Sequence, residues 1–136
     1  MTELLDFFEA HSVEYLDMRF TDLRDTEHAL TIPANTFTEA SAVAGFAFAG
    51  SSIYGFTTTN GPDMILRPDI STAYIDPFRA HKTVNMKFFV HKSASDGTPY
   101  SRDPRSIARR AEEYLQDTGI VDTGVTRKSW TRSGAT

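Results

Sequence analysis

The sequence predicts an α+β fold: a small, mostly antiparallel sheet with a short helix before it and a longer helix after it. Three observations lead there. Apolar residues alternate with period two in several short runs. Helical spacing is confined to the two ends and one brief middle segment. Pro, Gly and Asp punctuate the runs at hairpin intervals.

Thr2 is placed to cap a helix running to about Ala10, with Leu4, Leu5 and Phe8 on one face. From Val13 to Phe20 the period becomes two, so that Leu16, Met18 and Phe20 share a face opposite Val13, Tyr15, Asp17 and Arg19. Asp22 to Thr26 reads as a turn, and His28, Leu30 and Ile32 alternate again until Pro33 ends the hairpin. Thr36 and Glu39 have capping-box spacing, which predicts a short helix over Ala40 to Ala44 with Gly45 as its stop. After Phe46 to Ala49 comes a small, polar loop, Gly50 to Pro62, the profile of a segment that presents a site. Three further strands are expected at Met64–Leu66, Ala73–Ile75 and Val84–His91, the last followed by a tight turn at Asp96-Gly97. The final helix has Asp103 as N-cap and Pro104 in its first position. Ile107, Ala111, Tyr114 and Leu115 are expected to be its buried stripe. Arg105 and Arg109 should face water, with Arg109 paired to Glu113, and Gly119 should end the helix.

The 136 residues include no cysteine, which excludes disulfides and thiolate chemistry and agrees with a reducing cytoplasm. The N-terminus has no basic region before an apolar run, and no stretch is apolar enough to span a membrane. The net charge of −4 argues against general nucleic-acid binding. That charge is uneven. Residues 1–123 hold 11 basic and 18 acidic residues, whereas 124–136 hold Arg127, Lys128 and Arg132 with no acid. We therefore expect a domain over 1–123 and a basic, disordered tail over 124–136.

The residues alone reveal no catalytic constellation. His11, His28, His81 and His91 never fall at metal-ligand spacing. Gly50 beside Ser51 and Ser52 could form an anion-binding nest, but the Lys of a phosphate loop is missing. Asp63, Asp69 and Asp76 each stand near a proline and read as turn caps. Arg102 and Arg105 flank Asp103, which reads as carboxylate pairing at a helix start, with phosphate binding as the rival.

The ordered motifs carry more. The run Tyr15-Leu16-Asp17-Met18-Arg19-Phe20-Thr21-Asp22 is followed by Thr31-Ile32-Pro33-Ala34, and then by Gly50-Ser51-Ser52-Ile53-Tyr54-Gly55-Phe56. Asp63 to Asp69, Ile75-Asp76-Pro77-Phe78 and Ser101 to Glu112 continue the series. Together they resemble the N-terminal β-grasp domain of type I bacterial glutamine synthetase, over roughly Glu3 to Thr123. The resemblance implies a β-grasp fold. It also implies a family reaction, the ATP-dependent ligation of ammonium to glutamate with Mg²⁺ or Mn²⁺, whose ligands lie almost wholly in a larger C-terminal domain. In the family, a loop similar to Ala49–Phe56 crosses a subunit boundary and closes a neighbour's active site. An Asp immediately before Gly-Ser-Ser serves the ammonium there.

Four departures shape the expectation. Ala49 stands at the ammonium-site Asp position, leaving Gly50, Ser51, Ser52 and Phe56 as remnants of the substrate loop. Phe56 stands where the family often has Trp, and Asp25 replaces a common turn Gly. No Asp or Glu follows Asp122, where the family continues into metal ligands and the catalytic domain. The resemblance therefore implies no intact catalytic residue, no metal site and no cofactor for this chain, and inactivity when it is alone. The expected partners are full-length synthetase subunits or a second copy of itself, with no nucleic acid and no membrane, in the cytoplasm. A stand-alone β-grasp binding module and a remnant of an interrupted gene are the alternatives.

Overall fold

The computed structural model describes residues 1–57, 61–93 and 97–119. The expected basic tail over 124–136 and the Asp96 half of the expected Asp96-Gly97 turn lie outside them. The described elements are α1 (Thr2–Ala10), β1 (Tyr15–Thr21), β2 (Glu27–Pro33), α2 (Glu39–Ala44), β3 (Phe46–Phe48), β4 (Met64–Ile75), β5 (Thr83–His91) and α3 (Pro104–Asp117). Five strands form one sheet in the order β2-β1-β5-β4-β3. Every neighbouring pair is antiparallel except β1 and β5, which run parallel from Tyr15 opposite Thr83 to Arg19 opposite Lys87. The α+β class and mostly antiparallel sheet are those the sequence predicts.

One face of the sheet makes the core. Leu16, Met18 and Phe20 of β1 and Val84, Met86, Phe88 and Val90 of β5 are buried there with Leu66, Phe37 and Phe8. This is the face the period-two pattern selects in β1, since residues two apart point to the same side. The α1 helix packs Phe8 into the core and lays Leu4 and Leu5 against it. Its N-cap is Met1 without a side-chain hydrogen bond, so Thr2 begins the helix instead of capping it.

The α2 helix exists where expected but is capped differently. Thr38 accepts the Ser41 amide at 3.1 Å, and Ser41 Oγ accepts the Thr38 amide at 2.8 Å. Thr36 lies instead in a short 3₁₀ turn and donates to the Pro33 carbonyl. A Ser at the third helical position serves the reciprocal bond as the expected Glu would, and Thr38 is the residue with extended backbone. Gly45 ends α2 at φ +83°, where a Cβ would collide with Ile65 and lie 2.9 Å from the Leu66 carbonyl oxygen. Glycine is needed there for both backbone conformation and close approach.

The two expected strands Met64–Leu66 and Ala73–Ile75 are parts of one twelve-residue strand, β4. Pro68 does not break it because β3 accompanies β4 only to Leu66, so that from Arg67 on β4 is an edge, where a sheet tolerates proline. The register shifts between Asp69 and Tyr74, and the Thr72 hydroxyl accepts the Lys87 amide at 2.9 Å across that irregularity.

The opposite face of the sheet is polar, and part of it is closed off. Asp17 is 0% exposed, accepting hydrogen bonds from Thr31 at 2.5 Å and Arg79 at 2.6 Å. Arg19 reaches Glu27 at 3.1 Å and Asp76 at 3.8 Å, and Lys87 also pairs with Glu27. Alternation places these residues on one face, but the ion pairs join three strands and the β4–β5 turn, which only the register assembles.

At the other end of that face, α3 overturns its expected orientation. Ile107, Tyr114 and Leu115 are 44%, 67% and 42% exposed, and Ala111 is exposed too. The helix instead turns Arg105 to the sheet, and Arg109, exposed as expected, also lays its guanidinium on it. Arg105 bonds Asp69 at 2.7 Å, and the Arg105 and Arg109 guanidinium groups lie 4.7 and 3.6 Å from the Phe89 ring centre. Among the described residues, no ion pair joins Arg109 to Glu113. Flat guanidinium groups stack well on an aromatic face, so here charged residues make the contact and the apolar stripe faces outward.

Candidate functional site

The segment the sequence singles out, Ala49 to Phe56, leaves β3 and turns back over its end. Ala49 is extended and precedes a 3₁₀ turn over Gly50–Ser52. Gly50 is buried, and a Cβ there would lie 2.6 Å from the Met64 sulfur. Ser52 donates its amide to the Ala49 carbonyl at 3.0 Å, and Ile53 donates to Gly50 at 3.1 Å. Of the three amides of Gly50-Ser51-Ser52, that of Ser52 is thereby used within the loop.

Two apolar side chains anchor the loop. Ile53 is buried, and Phe56 is 3% exposed with its ring edge-on to Tyr100 at 5.4 Å between centres. Tyr100 Oη donates to the Phe56 carbonyl, and Arg102 Nη1 donates to the Gly55 carbonyl at 3.2 Å. Arg102 therefore serves this loop rather than a carboxylate beside it. With Ile53 and Phe56 turned inward, Ala49, Ser51, Ser52 and Tyr54 are left exposed. A hollow of about 290 Å³ adjoins the loop's base, lined by Thr57, Pro62, Asp63, Met64 and Tyr100 among others.

The β1–β2 turn bears on the loop from the other side. Asp22 Oδ1 accepts the amides of Arg24 at 2.8 Å and Thr26 at 3.0 Å, while Oδ2 pairs with His28 Nε2 at 3.0 Å. The His28 hydrogen bond, with those two amides, holds the Asp22 carboxyl below its ordinary range against the opposing effect of burial. Asp25 takes φ +63°, a left-handed conformation that Asp tolerates better than most residues. The turn so fixed sets Leu23 against Gly55 and Arg24 over the Tyr54 ring, 3.4 Å from its centre.

The other carboxylates take structural positions. Asp76 accepts the Phe78 amide as the expected turn cap, and the Asn85 amide with that bond lowers its pKa. Asp69 pairs with Arg105 and also accepts the nearby Ser71 hydroxyl at 2.6 Å. Asp103 caps α3 as expected, accepting from the Ser106 amide and hydroxyl, and it also takes the Val90 amide. His91 is shifted below its ordinary value, by burial first and also by nearby Arg67 and Arg109. Among the described residues, no group of three His, Asp or Glu could hold a metal ion. The loop itself, Ala49 to Phe56, presents no carboxylate.

The sequence profile described as glutamine synthetase, beta-Grasp domain, matches residues 12–93. The chain belongs to the glutamine synthetase family. Glutamine synthetase of Mycolicibacterium smegmatis is 49% identical over 121 residues, which cover 89% of this chain and 25% of that protein. The Mycobacterium bovis enzyme is 55% identical over 111 residues, covering 82% and 23%. The chain thus spans about a quarter of the length of the glutamine synthetases it matches. Among solved structures, the cryoEM structure of Plasmodium falciparum glutamine synthetase superposes with a TM-score of 0.78 at 23% identity. That superposition covers 87% of this chain and 23% of that one, and it establishes the likeness of fold. The five-stranded sheet with its flanking helices is accordingly the β-grasp domain of the family. No helix among the described residues is long and apolar enough to cross a membrane.

Proposed function

We propose that this glutamine synthetase β-grasp domain presents the Ala49–Phe56 loop to the active site of a neighbouring synthetase subunit, and that it does so without supplying the carboxylate for ammonium. The observation that carries the reading is the loop's own division. Ile53 and Phe56 fasten it to the domain, while Ala49, Ser51, Ser52 and Tyr54 face outward. A loop built this way is suited to a partner's surface rather than to its own core.

At Ala49 a methyl group replaces the carboxylate that the resemblance assigns to this position. A carboxylate stabilises an ammonium ion and can accept its proton, and a methyl does neither. A ring that takes up this domain would therefore have a closed but ammonium-deficient site. These residues by themselves span a quarter of the synthetases they match, and we propose that alone they do not catalyse the ligation. The absence of cysteine accords with a cytoplasmic location, which belongs to the same proposal.

Mixing the purified chain with a full-length family enzyme tests this reading. Co-elution, with a fall in γ-glutamyl transferase activity that Ala49→Asp relieves, is the expected result. Separate elution and unchanged activity would overturn it. A second reading, a stand-alone protein-binding module, is favoured by the exposed Ile107, Tyr114 and Leu115 of α3 and by Phe78, 93% exposed. Its mark would be a partner unrelated to synthetase whose binding is lost in Tyr114→Ala.

A further inference from the structure

We propose that the β1–β2 turn is a clasp that sets the exposed tip of the Ala49–Phe56 loop, with Arg24 as its positioning residue. This rests on the reading above for its purpose, but its geometry stands independently.

The loop has two kinds of attachment. On one side Tyr100 and Arg102 hold the carbonyls of Phe56 and Gly55, which are the loop's trailing end. They do not reach the tip. The tip is touched from the opposite side by the turn, where Arg24 stacks on the Tyr54 ring 3.4 Å from its centre. Leu23 lies so close to Gly55 that a Cβ there would come within 2.8 Å of its Cδ1. Gly55 has φ +79°, so that residue needs glycine both for its conformation and for the closeness of Leu23.

Neither Arg24 nor Tyr54 is buried, and an exposed arginine ordinarily samples many rotamers. Arg24 is aimed because its backbone is fixed. Asp22 takes the Arg24 and Thr26 amides on one carboxylate oxygen, and His28 secures the other. Asp25 in the left-handed conformation completes the turn. The turn thus directs one guanidinium at one aromatic ring, ten residues before β4 begins at Met64. The consequence is a loop whose tip is ordered before any neighbour arrives, so that association does not have to order it.

Amide hydrogen exchange in the intact chain reads this directly. Ser52, Ile53 and Phe56 donate amides to carbonyls within the loop, so their exchange reports its opening. Arg24→Ala should speed exchange at these amides about two- to fivefold, the range of an exposed cation–π contact. The Met18 amide in β1 serves as the reference and should not change. Tyr54→Ala should give the same increase, and the double variant no more than either single one. Unchanged exchange in Arg24→Ala would overturn the clasp. So would an equal rise at Met18, or effects of the two substitutions that simply add. Because no synthetase subunit is present in this measurement, its failure is separate from failure of the chain to join a synthetase ring.

Discussion

Replacing Asp103 by Ala should destabilise the domain by about 3 kcal/mol. The carboxylate is fully buried and one of its oxygens serves three donors: the Ser106 amide at 3.1 Å, the Ser106 hydroxyl at 2.6 Å and the Val90 amide at 3.2 Å. The first two form the cap of α3, whose loss costs about 1 kcal/mol. The third has a different origin. β1 accompanies β5 only to Lys87, so the Val90 amide lies beyond that pairing and Asp103 supplies its acceptor. Leaving Val90 and Ser106 as buried donors without partners adds about 1–3 kcal/mol. For a domain of this size the melting temperature should fall by about 10–15 °C. Asp103→Asn keeps an accepting oxygen and should lose only about 1 kcal/mol, most of it from the weaker neutral acceptor. Urea denaturation of the two variants against the parent, with equal slopes, measures both values. Asp103→Ala within about 0.5 kcal/mol of the parent, or Asp103→Asn as damaging as Ala, would refute the reasoning.

Three other expectations follow from the packing. Gly45→Ala should cost about 3 kcal/mol, since it combines a positive φ with a Cβ driven into Ile65 and the Leu66 carbonyl, and a thermal melt measures it. Arg105→Ala should cost about 2 kcal/mol by uncovering Phe89 and removing a mostly buried partner of Asp69, with Arg105→Lys recovering part of it in the same urea assay. Asp22 and Asp76 are both held below the ordinary carboxylate range, Asp22 first by His28 and Asp76 first by Asn85. As pH falls the unfolded chain takes up these protons first. Their stabilisation is therefore complete above the unfolded carboxylate pKa of about 4 and is lost as pH falls through the lower folded values. Urea midpoints between pH 6 and pH 3 should drop less steeply in Asp22→Asn than in the parent, and parallel curves would contradict the assignment.

Much of the fold was legible from local pattern. Period-two alternation identified the core face of β1, because Leu16, Met18 and Phe20 stay on one side whatever the neighbouring strands are. The turn at Asp22–Thr26 and the cap at Asp103 were legible for the same reason, since both are made within a few residues of chain. The loop around Gly50-Ser51-Ser52 could be singled out by its small, polar composition and its resemblance to the family. Its clasp could not be, because Arg24 and Tyr54 are thirty residues apart in sequence and meet only when β1 and β3 lie in one sheet.

The α3 helix marks the boundary between the two sources most clearly. Its start at Pro104, its cap and its apolar stripe are properties of sequence alone, and the helix runs where they predict. Which side it turns to the sheet is not a local property. The surface offered at that end is Phe89 framed by Asp69, and two arginines satisfy an aromatic face and a carboxylate together as an aliphatic stripe cannot. The sequence by itself determined β1, β2 and β5, the β1–β2 turn, the resemblance to the family and the substitution at Ala49, because each is written in neighbouring residues. Only the tertiary structure decided that β1 and β5 run parallel, that Asp17 is sealed among Thr31 and Arg79, and that α3 leaves its apolar side outward. Each of those depends on which distant surfaces meet, and burial free energy is decided by the meeting rather than by the residue.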